Sequence, residues 1–149
     1  MTMFNAINSS ASALTAERLR MDVVSSNIAN AQTTRATMNE EGEFEPYRRK
    51  MVAVAPNENS FKSFLQQASS QTAGSGVRVS GIEEDETPFK SVYNPNHPDA
   101  NEAGYVQLPN VDPLKEMVDL MSATRSYEAN ITSLNASKGM LMKALEIGK

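Results

Sequence analysis

The sequence predicts a mainly α-helical protein with a small β-rich insertion, organised on two long terminal helices that pair in a coiled-coil-like domain. Three observations predict it. The last third carries apolar residues at helical spacing, with no proline after Pro113. The first stretch repeats that spacing, with neither Pro nor Gly between Met1 and Thr37. Between the two, the apolar period switches to two, and Gly, Pro and Asn gather in clusters. The division is therefore 1–34, the N-terminal helix of a helical core domain; 35–111, an extended β-rich insertion; and 112–149, the C-terminal helix of the same core.

The first helix is expected from Thr2 to Ala31. Alternating steps of three and four from Phe4 meet Ile7, Ala11, Leu14, Arg18, Met21, Ser25 and Ile28. Of these, Ile7, Leu14, Met21 and Ile28 recur at the heptad spacing of a helix–helix seam. Ser, Asn and Ala dominate the rest, so the isolated segment is only marginally helical. It closes with Asn27 and Asn30 on one face. Two readings are open: asparagine ends a helix by tolerating the left-handed conformation, or the two amides fix how the chain leaves the helix against a neighbour.

In the insertion, Glu40, Glu41, Glu43 and Glu45 form an acidic turn around Gly42. Tyr47 to Ala55 alternates as a strand, as do Val77 to Ile82 and, in an extended piece, Phe89 to Tyr93. Phe61 to Gln67 has the apolar spacing of a short helix, and Ala68 to Gly76 has the composition of a mobile linker. Glu83 to Glu86 is an acidic run, read as a solvated turn. Asn94 to Asn101 is a loop, because two prolines fix φ and the Asn and Asp side chains cap the backbone. Gly104 to Val111 leads on, extended. So small a β-rich piece, poor in aromatics, needs support from the helices.

The last helix has the plainest signals. Asp112 stands at the N-cap with Pro113 behind it, and Gly148 follows the last periodic residue. From Met117 the alternating step meets Leu120, Thr124, Tyr127, Ile131, Leu134, Lys138, Leu141 and Leu145. A helix from Pro113 to Ile147 would be roughly 50 Å long at ~1.5 Å per residue. A narrow stripe on so long a helix requires another helix beside it. The expected packing positions are Ile7, Leu14, Met21, Ile28, Met117, Leu120, Tyr127, Ile131, Leu134, Leu141 and Leu145. Met117, Met121, Met140 and Met142 near this face suit either helix packing or a soft partner groove.

Composition narrows the function classes. At 149 residues with 40% hydrophobic content and no Trp, the chain can bury only a thin core. The charges of the two ends cancel, so the net −4 lies in the middle and gives no reason to expect nucleic acid. With no Cys there is no disulfide or thiol chemistry. No stretch spans a membrane as a helix. Met1 to Ala13 lacks the basic start and continuous apolar segment of a secretory signal, which on its own points to the cytoplasm. His97, the single histidine, has neither a nucleophile motif nor ligand spacing around it. Phosphate-cradling glycine motifs are missing. No catalytic residue, metal or cofactor is expected.

The segment from Asn27 to Thr34 resembles the Asn-x-Ala-Asn-x-x-Thr signature of bacterial flagellar axial proteins of the rod and hook, with Asn27, Ala29, Asn30 and Thr33 in its positions. Glu116 to Ile131 resembles that family's C-terminal helix, with Arg125, Tyr127, Ala129 and Asn130 in its Arg-x-Tyr-x-Ala-Asn core. The loop Asn94 to Asp99, with Gly104 to Val106 and Pro109 to Val111, is similar to the proximal-rod members. Phe61 to Gly76 matches no part of the pattern. The resemblance implies a non-enzymatic subunit of the proximal rod, built with copies of itself and other rod proteins into a helical tube that carries torque from motor to hook. It further implies contact with the export apparatus and the base of the basal body, and a periplasmic location reached through type III export without a cleaved signal. Two other classes fit the residues alone. One is a soluble helical-bundle interaction protein of an export system, chaperone or needle-type subunit. The other is a periplasmic glycan hydrolase using carboxylates of the middle region.

Overall fold

The computed structural model describes residues 2–39, 42–57 and 76–148. Helix α1 spans Thr2–Ala29 and helix α2 spans Pro113–Ile147. Between them lie six short strands: β1 Thr37–Met38, β2 Phe44–Glu45, β3 Lys50–Pro56, β4 Val77–Glu84, β5 Lys90–Tyr93 and β6 Tyr105–Leu108. The architecture is thus mainly helical with small two-stranded sheets in the middle. The helix expected at Phe61 to Gln67 and most of the linker after it lie outside the described residues.

Each boundary has a local cause. At the start of α2 the Asp112 carboxylate accepts from the Leu114 amide at 3.1 Å, and the Asp112 carbonyl takes the Glu116 amide at 3.0 Å. Helix α1 stops two residues short of expectation. The Asn30 side chain turns back to donate to the Ser26 carbonyl at 2.9 Å and accepts from the Thr33 hydroxyl at 3.2 Å, replacing further helix with a turn. Glu40 and Glu41 of the expected acidic turn lie outside the described residues, and strands β1 and β2 pair Thr37 with Glu45 and Met38 with Phe44. Gly42 takes φ 85° there, a conformation that favours glycine, while the Asn39 side chain caps the Glu43 amide at 2.8 Å. The expected strand from Tyr47 starts later, at Lys50, because the first residues are engaged elsewhere, as described below. Strands β3 and β4 are neighbours, with Asp85 N donating to Arg49 O at one end and Asn57 N to Gly76 O at the other, both at 2.8 Å.

Strands β5 and β6 are antiparallel, in register from Lys90 with Leu108 to Tyr93 with Tyr105. Their connection is the predicted loop. The Asn101 side chain accepts from the amides of Ala103 and Tyr105, and Gly104 has φ 79° with the Tyr93 ring closing over it.

Two compact units emerge, each built from separate stretches of chain. The first draws on Met1–Met21, Val52–Gly81 and Ser122–Lys149, the second on Asp22–Met51 and Ile82–Met121. Among the described residues, the buried ones of the first are small: Ser10, Ala16, Ala123 and Ser137. Those of the second are larger: Val23, Val24, Tyr47, Val106 and Val111, together with Asn27 and Glu116.

Helix α2 buries or half-buries Glu116, Leu120, Ala123, Tyr127, Asn130, Leu134, Ser137 and Leu141, a stripe of alternating four- and three-residue steps. It shares Leu120, Tyr127, Leu134 and Leu141 with the expected line. At the alternate positions it runs one residue earlier, through Glu116, Ala123, Asn130 and Ser137 instead of Met117, Thr124, Ile131 and Lys138. Ala123 and Ser137 are small and Glu116 and Asn130 are polar, so a search for apolar spacing overlooks them.

Candidate functional site

The most enclosed chemistry in the chain is a polar network in the second unit. Asn27 and Glu116 are both 0% exposed, in a protein whose buried apolar residues are few. Asn27 sits near the end of α1, where its amide meets the backbone of Lys50 at the start of β3. Its Oδ1 accepts from Lys50 N at 3.0 Å, and its Nδ2 donates to Lys50 O at 2.8 Å. The side chain therefore substitutes for a neighbouring strand at that residue. Oδ1 also accepts from the Tyr47 hydroxyl at 3.0 Å, and Nδ2 donates to Glu116 Oε2 at 2.9 Å. Only an amide of this length supplies both the donor and the acceptor.

The other carboxylate oxygen, Glu116 Oε1, accepts from Arg49 Nε at 2.7 Å. The Arg49 guanidinium, 12% exposed, reaches on to Asp85 at 3.3 Å and to Asp119 at 3.6 Å. Asn110 completes the cluster: Oδ1 accepts from Arg49 N at 2.8 Å, and Nδ2 donates to Asp85 O and Thr87 O at 3.0 and 3.1 Å. Burial by itself would lower the pKa of Arg49, but Glu116 and Asp85 outweigh it and hold the guanidinium above its ordinary range. The Thr87 amide and hydroxyl, and then Arg49, hold Asp85 below the usual carboxylate range. The acidic run is accordingly not a plain solvated turn. Glu83 and Glu84 end β4 and Glu86 is exposed, but Asp85 is half-buried against Arg49. Nothing near Asp85 in sequence announces a cation that arrives from position 49.

A second clamp secures the loop between β5 and β6. Asp99 accepts from Thr34 Oγ1 at 2.8 Å and from Arg35 Nε at 2.7 Å, with a further bond from the Arg35 terminal nitrogen. These bonds, with Arg35 the larger cause, hold Asp99 below its ordinary pKa and raise Arg35. His97 Nδ1 accepts from the Asp99 amide at 3.1 Å, so the histidine serves the loop backbone.

The other sequence-selected residues fall into two sets. Ile7, Leu14, Met21, Ile28, Leu120, Tyr127, Leu134 and Leu141 are half-buried. Met117, Ile131 and Leu145 are 50%, 38% and 74% exposed. Of the motif asparagines, Asn27 enters the network, whereas Asn30 and Asn130 each bond the carbonyl four residues back, Ser26 O and Ser126 O. Thr33 bonds Asn30, Ala29 and Arg125 are exposed, and Thr124 touches Met21 Sδ at 3.5 Å. Sequence reasoning placed Glu116, Asp85 and Asn110 only in the resembling helix, a solvated turn and the extended lead-in, and Arg49 only in a strand; it missed that they form one network with Asn27. Among the described residues no cluster of His, Cys, Asp or Glu suits a metal ion, and no helix is long and apolar enough to cross a membrane. The network's donors and acceptors satisfy one another, an arrangement that holds structure rather than substrate.

The chain is similar to known proteins at both ends and over its full length. A family model described as flagella basal body rod protein matches residues 7–37, and one described as flagellar basal body rod FlgEFG protein C-terminal matches residues 102–147. The flagellar basal-body rod protein FlgC of Bacillus subtilis is 64% identical, with 100% of both chains covered. Its counterpart in Borreliella burgdorferi is 45% identical over 99% of this chain and 98% of the relative. The Salmonella typhimurium protein of the same name is 39% identical over 100% of both. Asn27 and Glu116 fall in the two segments that the family models match, and their bond joins those segments. The chain belongs to the FlgC family of flagellar basal-body rod proteins.

Proposed function

We propose that this chain is a non-catalytic structural subunit of the proximal part of the bacterial flagellar rod. It self-assembles with copies of itself and with other rod proteins into a helical tube that transmits torque from motor to hook. The full-length identity of 64% to a protein named for the basal-body rod carries this reading. In it, 1–34 and 112–149 form a helical core domain whose two helices pair in a coiled-coil-like way, and 35–111 is the insertion that meets neighbours. The subunit reaches the periplasm through the type III export channel without a cleaved signal, and meets the export apparatus and the base of the basal body there.

Two features support the assembly role. Leu114, Met117, Val118 and Met121 lie at helical spacing and are all exposed, on the side of α2 away from its buried stripe. A helix apolar on both sides is ordinarily covered on both sides, and contacts that do not close on themselves build a tube. The stripe residues Ile7, Leu14, Met21, Ile28, Leu120, Tyr127, Leu134 and Leu141 would then pack the paired ends. Exposed Met117, Ile131 and Leu145 would face neighbouring subunits. Mass spectrometry of purified hook–basal bodies tests the reading, set beside a strain lacking the gene. The chain should be present in the first, and the second should build no rod; rods in the deletion strain would refute it. Leu134→Asp should yield a soluble monomer that fails to enter the rod and abolishes swimming, and normal motility would count against the packing role.

A further inference from the structure

The stripes on the two helices are repetitive in a way that leaves their axial alignment poorly defined. On α1, Ile7, Leu14, Met21 and Ile28 recur every seventh residue; on α2, Leu120, Tyr127, Leu134 and Leu141 do the same, with Ala123, Asn130 and Ser137 between them. Sliding one helix along the other by seven residues, about 10 Å at ~1.5 Å per residue, sets these recurrent apolar positions opposite one another again, although the α1 positions between them, Ser10, Glu17 and Val24, differ in kind. The apolar contact alone barely distinguishes the two alignments.

One contact does not repeat. Seven residues on from Glu116 stands Ala123, and seven before Asn27 stands Arg20. The bond between Asn27 Nδ2 and Glu116 Oε2 is therefore available in a single alignment: slipped one way, Asn27 faces Ala123 and Glu116 passes beyond the end of α1, and slipped the other way, Glu116 comes level with Arg20 while Asn27 passes beyond the start of α2. We propose that the Asn27–Glu116 pair is a register-setting device that fixes the axial alignment of α1 against α2. Through Lys50 and Arg49 the same pair fixes where β3 leaves the helices. A polar group buried in an otherwise repetitive seam selects register at some expense of stability. Identical register in every copy is what a regular tube requires. The inference rests on the reading of the terminal helices as a pair.

Since the chain has no cysteine, two can be introduced and spin-labelled at exposed sites, Ala11→Cys on α1 and Thr132→Cys on α2. The distance distribution is then measured on the full chain. The labelled parent should give one short, narrow distance. Adding Glu116→Met, similar in length and apolar, leaves Asn27 with Lys50 and Arg49 with Asp85. It should keep the helical circular dichroism and produce a second population at a longer distance, the mark of an axial slip of about 10 Å. A single unchanged distance in that variant would overturn the proposal. Should Glu116→Met fail to fold, Leu141→Ala decides: it weakens the apolar stripe and must leave one distance, whereas a second population there would show that the stripe sets register. A parent with no short distance would refute the pairing itself and be recognised as such before any variant is read.

Discussion

The two units of this protein are held by different means. The second unit encloses side chains of substance and a polar cluster in which each donor meets an acceptor. Asn27 alone makes two bonds through each of its side-chain polar atoms. In the first unit the most buried residues are Ser10, Ala16, Ala123 and Ser137, which remove little apolar surface from water. There, too, Glu17 Oε2 is buried without a hydrogen-bond partner, with Arg20 no nearer than 4.0 Å. The difference teaches that, among the described residues, the second unit is tied by a polar network and the first by close approach of small side chains.

Arg49 offers the sharpest way to break the comparison. Arg49→Met removes the only guanidinium on a carboxylate with no solvent access, and stranding one member of a buried ion pair costs about 3–5 kcal/mol. Urea unfolding followed by circular dichroism should show a loss of that size. Arg35→Met removes an ion pair open to solvent and should shift the midpoint far less. Comparable losses from the two would show that the network is not the stronger support.

In the first unit the corresponding test is steric. Val77 N donates to Ser12 Oγ at 3.0 Å, and that hydroxyl donates on to Ser9 O at 2.8 Å, so strand and helix touch through small residues. A Cβ at Gly76 would sit 2.3 Å from Ser12 Oγ and 3.1 Å from its Cβ. Gly76→Ala should therefore cost about 1–3 kcal/mol. Because Ser12→Ala removes the closest atom, the double variant should lose less than the sum of the two single losses. Strict additivity would mean that the contact relaxes at no expense.

How much of this was legible depends on how local the cause is. The start of α2 was readable from Asp112 and Pro113, since cap and helix are adjacent. So was the loop before Tyr105, where Asn101 and Gly104 act within a few residues. The hairpin around Gly42 showed as a turn, but its strands of two residues each are too short to carry a period. The network was illegible. Asn27 and Glu116 are separated by 89 positions, and a glutamate in the first turn of a helix reads as an ordinary dipole partner. Of the two readings left open for the asparagines, Asn30 follows the helix-ending one, whereas Asn27 turns to partners in other elements. Their spacing alone does not separate these roles.

The smallest expected effect concerns acid. Asp85 and Asp99 are both held below the ordinary carboxylate value of 3.8, the first chiefly by Thr87 and the second chiefly by Arg35. A group whose folded pKa is depressed stabilises the fold above its unfolded pKa, and that contribution fades as pH falls through the folded value. Stability should thus stay level from neutral pH to the top of the carboxylate range and decline below it. Asp85→Asn keeps an oxygen for the Thr87 amide while removing the titrating group, so it should lower the neutral plateau and make the acid decline shallower. Asp99→Asn should flatten it as well, and the two effects should add, since the carboxylates bond different arginines. An acid limb as steep in the double variant as in the parent would show that these two carboxylates do not set the acid sensitivity.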